Sequence, residues 1–234
     1  MKRFLFTVIC AILLASCNDE IDLTGRSGTN EFLKNDFSGV SVQDGFELYL
    51  LSGDTSKFKI ESDENIVNHV KYEVKNEILY FYKEPATEFP SNALVKISVT
   101  KDSLEVLMLM SSKAQIVDTL RTKEIRLVCS GKSDFTGRLE CKKLHSIIDN
   151  STIKLTGISD TVQANIDNGS SVKLFDLESN KVNVNILGGS FAEVLVYEEF
   201  EVKIKEKSIL HYKGTPIIRQ QVLDDDSEIE KIEQ

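Results

Sequence analysis

Two carboxylates with matching neighbours are the first residues in this 234-residue chain that could do chemistry. Asp149-Asn150 and Asp167-Asn168 recur about one repeat apart, a spacing that can bring both acids to one corner. Paired carboxylates are what glycoside cleavage requires, and β-helices host polysaccharide-cleaving enzymes. The same dipeptides also serve turns, because Asp and Asn side chains bond to nearby backbone. No Lys or Arg beside these turns completes a catalytic set, so turn chemistry is the preferred reading. His69, His145 and His211 are scattered and form no Cys/His cluster, so neither a metal nor a cofactor is expected. Gly188-Gly189-Ser190 has the paired glycines of a calcium β-roll, but Phe191-Ala192 stand where that motif needs a recurring Asp. Cys129 and Cys141 fall at different points of the repeat, and free thiols are favoured over a bridge. Phosphate loops, dinucleotide fingerprints and nucleophile elbows do not occur, so no catalytic residue is assigned.

The elements that must position these residues are short. From Ser111 to Gly214, polar turns begin near Ser111, Ser130, Asn150, Gly169, Gly188 and Lys207, a period of about 19 residues. Between them run apolar alternations such as Arg126-Leu127-Val128-Cys129, Ile153-Lys154-Leu155 and Val182-Asn183-Val184-Asn185-Ile186. Each unit is too small to bury its own apolar side chains and must stack on a neighbour. A strand that recurs at a fixed period lies parallel to its copies, with inward residues in columns about 4.8 Å apart. The outward residues Arg126, His145, Asn165, Asn183, Asn185 and Lys203 then form a polar ladder on one sheet. Such a flat face can hydrogen-bond a glycan or a protein strand, although a merely solvated face is the simpler reading. The chain has no Trp, which counts against a sugar-stacking platform.

At the N-terminus, Lys2 and Arg3 precede an apolar run from Phe4 to Leu14, then Ala15-Ser16-Cys17. A run of about 11 residues is too short to span a bilayer and reads as a secretory signal. Leu14-Ala15-Ser16-Cys17 resembles the lipobox of bacterial lipoproteins. That resemblance implies cleavage before Cys17 and acylation on it, with several acyl chains anchoring the protein to a membrane. The acidic pair Asp19-Glu20 resembles the export signal that carries some Bacteroidetes lipoproteins to the outer face. An outer-membrane, surface-displayed protein is therefore favoured over a periplasmic one.

Between Phe32 and Lys101 the sequence also alternates. Phe37–Val42 and Phe46–Leu51 flank a hairpin-type turn at Asp44-Gly45. Asp63–Val70 can form one helical turn capped by Asp63, and Lys75-Asn76 joins two further strands. Three places carry a resemblance to the family described as putative auto-transporter adhesin, head GIN domain. They are Phe37-Ser38-Gly39-Val40-Ser41-Val42 with Gly45-Phe46-Glu47-Leu48, the run Phe58–Ile66 followed by Asn76–Phe81, and the Ser/Gly turns closing on Tyr212-Lys213-Gly214-Thr215-Pro216. The resemblance covers about residues 32 to 222 and implies an all-β, right-handed, single-stranded parallel β-helix, in a family whose activity is largely undefined.

Net charge is −9, and loss of Lys2 and Arg3 with the signal makes it about −11. An acidic chain without a basic run is a poor candidate for nucleic acid. The expected organisation is a signal over 1–16, a lipidated Cys17 and flexible tether over 17–30, a β-helix over 31–222, and an acidic, disordered tail over 223–234. The expected function is a non-enzymatic, lipid-anchored envelope protein presenting an adhesin-like surface to a glycan or an envelope or host protein. A polysaccharide-degrading enzyme and an envelope structural or signalling partner are the alternatives. The sequence leaves the oligomeric state open.

Overall fold

A computed structural model describes residues 19–233. The segment expected as a signal peptide, with Cys10, and the expected acylation site Cys17 lie outside the described residues. The chain forms a parallel β-solenoid of about seven turns, some 19 residues apart. Its strands are β1 (Asp19–Glu20), β2 (Ser27–Leu33), β3 (Gly39–Val42), β4 (Glu47–Leu51), β5 (Lys57–Asp63), β6 (Val70–Lys75), β7 (Ile78–Lys83), β8 (Thr87–Glu88), β9 (Lys96–Thr100) and β10 (Val106–Met110). The regular part continues as β11 (Lys113–Ile116), β12 (Leu120–Ser130), β13 (Asp134–Asp149), β14 (Thr152–Asp167), β15 (Ser171–Ile186), β16 (Phe191–Leu195), β17 (Glu199–Ile204), β18 (Ile209–Lys213), β19 (Ile217–Leu223) and β20 (Glu228–Lys231).

Alternation drives the assembly. Apolar residues at every second position turn inward and stack on the equivalent residue of the next rung. Leu144, Val162, Val182 and Phe200 form one such column, and Ile148, Ile166, Ile186 and Ile204 another, all buried. β13, β14 and β15 run 16 residues each because pairing resumes on both sides of a corner, which skips Lys142 opposite Asp160 and Asp160 opposite Asn180. Gly157 bends β14 at φ +113°, where a Cβ would drive into the carbonyl oxygen of Leu139 on the rung below.

A second column sits at the turns. The backbone N–H of Ser112 donates to the hydroxyl of Ser133 at 3.2 Å, Ser133 to Ser151 at 3.2 Å, and Ser151 to Ser170 at 3.3 Å. Ser170 then donates to Ser190, Ser190 to Ser208 and Ser208 to Ser227, at 3.2–3.3 Å. Each rung's buried N–H is thus satisfied by the next rung's side chain, at corners where the sheet ladder is interrupted. The column stops at Ser112, since the residue one rung below it is the buried Phe46, whose carbonyl accepts from Lys113.

The N-terminal rungs are not laid down in chain order. β3 lies between β7 and β10, and β4 between β9 and β11, all parallel. The chain therefore builds its second rung first and leaves through β5 and β6. It returns as the first rung in β7 and β9, then passes over to β10. This corrects the hairpin expected at Asp44-Gly45. Both residues have positive φ (66° and 80°), but β3 and β4 pair with rungs above and below, not with each other. Each strand satisfies both its edges in parallel sheets, so the turn is a solenoid corner. A true antiparallel hairpin joins β6 and β7, with Asn76 and Glu77 at φ 50° and 61°.

Three further expectations change. The helical turn is a 3-10 turn over Val67–His69 with Ile66, not Asp63, at its N-cap. The Asp63 carboxylate instead accepts from the N–H groups of Asn65 (3.0 Å) and Gly25 (2.7 Å) and from the Thr24 hydroxyl. The stretch expected as a tether forms β2 at its end. β2 pairs antiparallel with β5 and packs Phe32 against Phe58 and Tyr72, with ring centroids 5.0 and 4.8 Å apart. The acidic tail is not disordered throughout either. β20 adds in parallel to β18, and Asp224 accepts the Glu206 N–H at 2.7 Å, so backbone pairing and the half-buried Ile229 outweigh the charge run.

Candidate binding face

The proposed ladder residues share one face. They resolve into two adjacent columns on the sheet built by β12, the second halves of β13, β14 and β15, and then β17 and β19. One column reads Arg126, His145, Gln163, Asn183, Glu201 and Gln220. The other reads Val128, Ile147, Asn165, Asn185, Lys203 and Val222. Successive members are 19, 18, 20, 18 and 19 residues apart in both columns. The 20-residue step follows from the register shift between Lys154 and Thr156. A fixed period therefore finds the face, but misses Gln163 and Glu201 and cannot separate the columns.

Local bonds tie neighbouring rungs of the face together. His145 Nε2 lies 3.0 Å from Glu124 Oε1, Asn183 Nδ2 donates to Glu201 Oε2 at 2.6 Å, and Asn185 Nδ2 reaches Asn165 Oδ1 at 3.5 Å. Asn185 Oδ1 is buried without a partner among the described residues. Between β12 and β14, Glu124, Arg126, His145, Ile147, Gln163 and Asn165 line a shallow cleft of about 390 Å³. Toward the N-terminal end the face becomes apolar. Val128 is followed downward by Met108, Ser41 and Tyr80, and Arg126 by Val106, Gly39 and Ile78.

The two acids expected at one corner do stand in register, Asp149 beside Asp167. Asn168 occupies both. Its Nδ2 donates to Asp149 Oδ1 at 2.8 Å and its backbone N–H to Asp167 Oδ1 at 2.7 Å, while Asn150 and Asn168 take positive φ. That is the chemistry of a turn. Cys129 and Cys141 are free. Burial pushes the Cys129 thiol up to about 12, and burial likewise raises Cys141 against a hydrogen bond to Ser159. Neither is poised as a nucleophile.

A family model described as putative auto-transporter adhesin, head GIN domain matches residues 36–216. Among solved structures, a putative adhesin from Bacteroides fragilis superposes with a TM-score of 0.80 at 16% identity, covering 91% of this chain and 97% of that one. A putative adhesin from Parabacteroides merdae gives 0.71 at 20%, covering 92% and 99%. A putative lipid binding protein from Parabacteroides distasonis gives 0.72 at 18%, covering 92% and 100%. At these identities the likeness is one of fold. No curated protein matches the sequence. Among the described residues, no helix is long and apolar enough to cross a membrane.

Proposed function

Since the chain belongs to the putative auto-transporter adhesin, head GIN domain family, we propose that it is a non-enzymatic, lipid-anchored envelope protein. Its solenoid presents the two-column face as a docking surface at the outer membrane. The observation that carries this reading is the gathering of Arg126, His145, Asn165, Asn183, Asn185 and Lys203 in two adjacent columns of one sheet. Amides and charges at a spacing of about 4.8 Å suit an extended ligand that repeats along the solenoid axis. Acylation at Cys17 supplies the anchor.

Two variants test this reading. Cys17→Ala moves the protein out of the membrane pellet if the lipid is its anchor, and retention in the pellet contradicts anchoring. Asn165→Tyr with Asn183→Tyr places bulk on exposed strand positions that tolerate it. Wild-type protein marks a subset of glycans on an array and the double variant loses them. Unchanged binding would place the docking surface elsewhere.

The apolar end of the face, with Val106, Met108 and Val128 outward, favours a second reading in which an envelope protein docks there. Cross-linking from a photoreactive group at Met108 separates the two, since only a protein partner yields a discrete conjugate.

A further inference from the structure

Positive charge gathers on two rungs of a protein that is acidic as a whole. Between Leu120 and Asp149 there are seven basic residues and four acidic ones, against a net charge of −9 for the chain. They are dispersed in sequence, so no basic run announces them. Folding stacks them. Arg126 pairs in register with His145. Lys123 and Lys142 occupy the equivalent corner, between the paired positions Thr122–Cys141 and Glu124–Lys143. Glu140 serves two guanidiniums at once, Arg121 at 3.0 Å and Arg138 at 3.3 Å, and so leaves the pair of rungs net positive. Lys123, Lys142 and Lys143 are exposed and, among the described residues, have no ion-pair partner. One rung higher the same corner carries Asp160, bonded to Asn180 of the next rung at 2.8 Å, and the cationic zone ends.

We propose that this cationic corner and the adjoining cleft bind an anionic polysaccharide. The inference rests on the docking reading above and names its ligand class. The lysines answer the charges of such a chain, and Gln163, Asn165 and Asn183 beside them answer its hydroxyls. A single-stranded nucleic acid would call for stacking platforms, and β12, β13 and β14 carry one aromatic ring besides His145, the buried Phe135.

The test uses the full lipidated chain held in neutral phosphatidylcholine vesicles, with dextran sulfate, uncharged dextran and oligo(dT) as soluble probes. Dextran sulfate binds, dextran does not, and binding weakens as salt rises. Lys123→Glu with Lys142→Glu lowers the affinity for dextran sulfate at least about tenfold. Both positions are exposed, so the melting temperature stays within a few degrees of wild type. Failure to bind dextran sulfate, equal binding of dextran, oligo(dT) binding as tight as dextran sulfate, or an unaffected double variant each overturns the inference. If array binding is lost with Asn165→Tyr and Asn183→Tyr but survives both lysine reversals, the docking face stands and only the anionic ligand falls.

Discussion

Ser112, Ser133, Ser151, Ser170, Ser190 and Ser208 are buried, and each of the last five offers its hydroxyl to the backbone N–H of the rung before. Removing one such hydroxyl strands a buried donor, which costs about 1–3 kcal/mol. Ser151→Ala therefore loses stability of that order in chemical denaturation, whereas Thr152→Ala at the exposed neighbour changes it by about 0.5 kcal/mol or less. An equal effect at both sites would mean that the column carries no stability. The thiols give a second check at this scale. With its thiol pushed up to about 12 by burial, Cys129 is un-ionised near neutrality. Iodoacetamide mapping on folded protein at pH 8 leaves Cys129 unmodified and labels Cys141 slowly, while denaturant exposes both. Rapid labelling of folded Cys129 would contradict its place in the core.

At the scale of elements, the legible and the illegible separate cleanly. From Ser111 onward a strict alternation between polar turns forces stacking, so parallel strands and their inward columns follow from pattern alone. The serine column was not legible, because its members are 18 to 21 residues apart and share their turns with Asn, Gly and Lys. The order of the first rungs was hidden for another reason. Asp44-Gly45 has hairpin chemistry, and positive φ serves a hairpin and a solenoid corner equally well. Only the pairing partners distinguish them, and these are remote in sequence. The cationic corner was missed because a period counts residues, whereas charge adds across rungs. Bends are the most sensitive elements. Gly157→Ala combines a φ of +113° with a Cβ directed into the Leu139 carbonyl, and its expected cost is about 2 kcal/mol or more by denaturant titration. A change within about 0.5 kcal/mol would show that the β14 bend is not as described. The far end is guarded differently. β19 exposes Ile217, Ile218 and Leu223, yet its bulge opposite Phe200 and Glu201 and the charges of β20 discourage pairing with another chain.

Taken as a whole molecule, the protein is an acidic rod with a basic waist, and its stability against acid follows from its carboxylates. The hydrogen bond from His69, with Lys71 beside it, holds the Glu84 carboxyl below the usual glutamate range. Arg219 and then Lys181 do the same for Glu199, and Lys57 for Glu31. A depressed folded value means that the unfolded chain takes up protons first on acidification. The stabilisation is complete above the ordinary carboxylate range, about pH 4, and is lost as pH falls through the lower folded values. Melting temperature is thus expected to fall progressively below that range, and constant stability down to pH 2 would deny these pairs any role. The claim on which the function depends is display of the docking face outside the cell. The most direct measurement is protease treatment of intact cells beside lysed ones, followed by detection of the chain with an antibody to the solenoid. The expected result is loss of the protein from intact cells to the same extent as from lysate. Cleavage only after lysis would contradict surface display and leave the face turned toward a periplasmic partner.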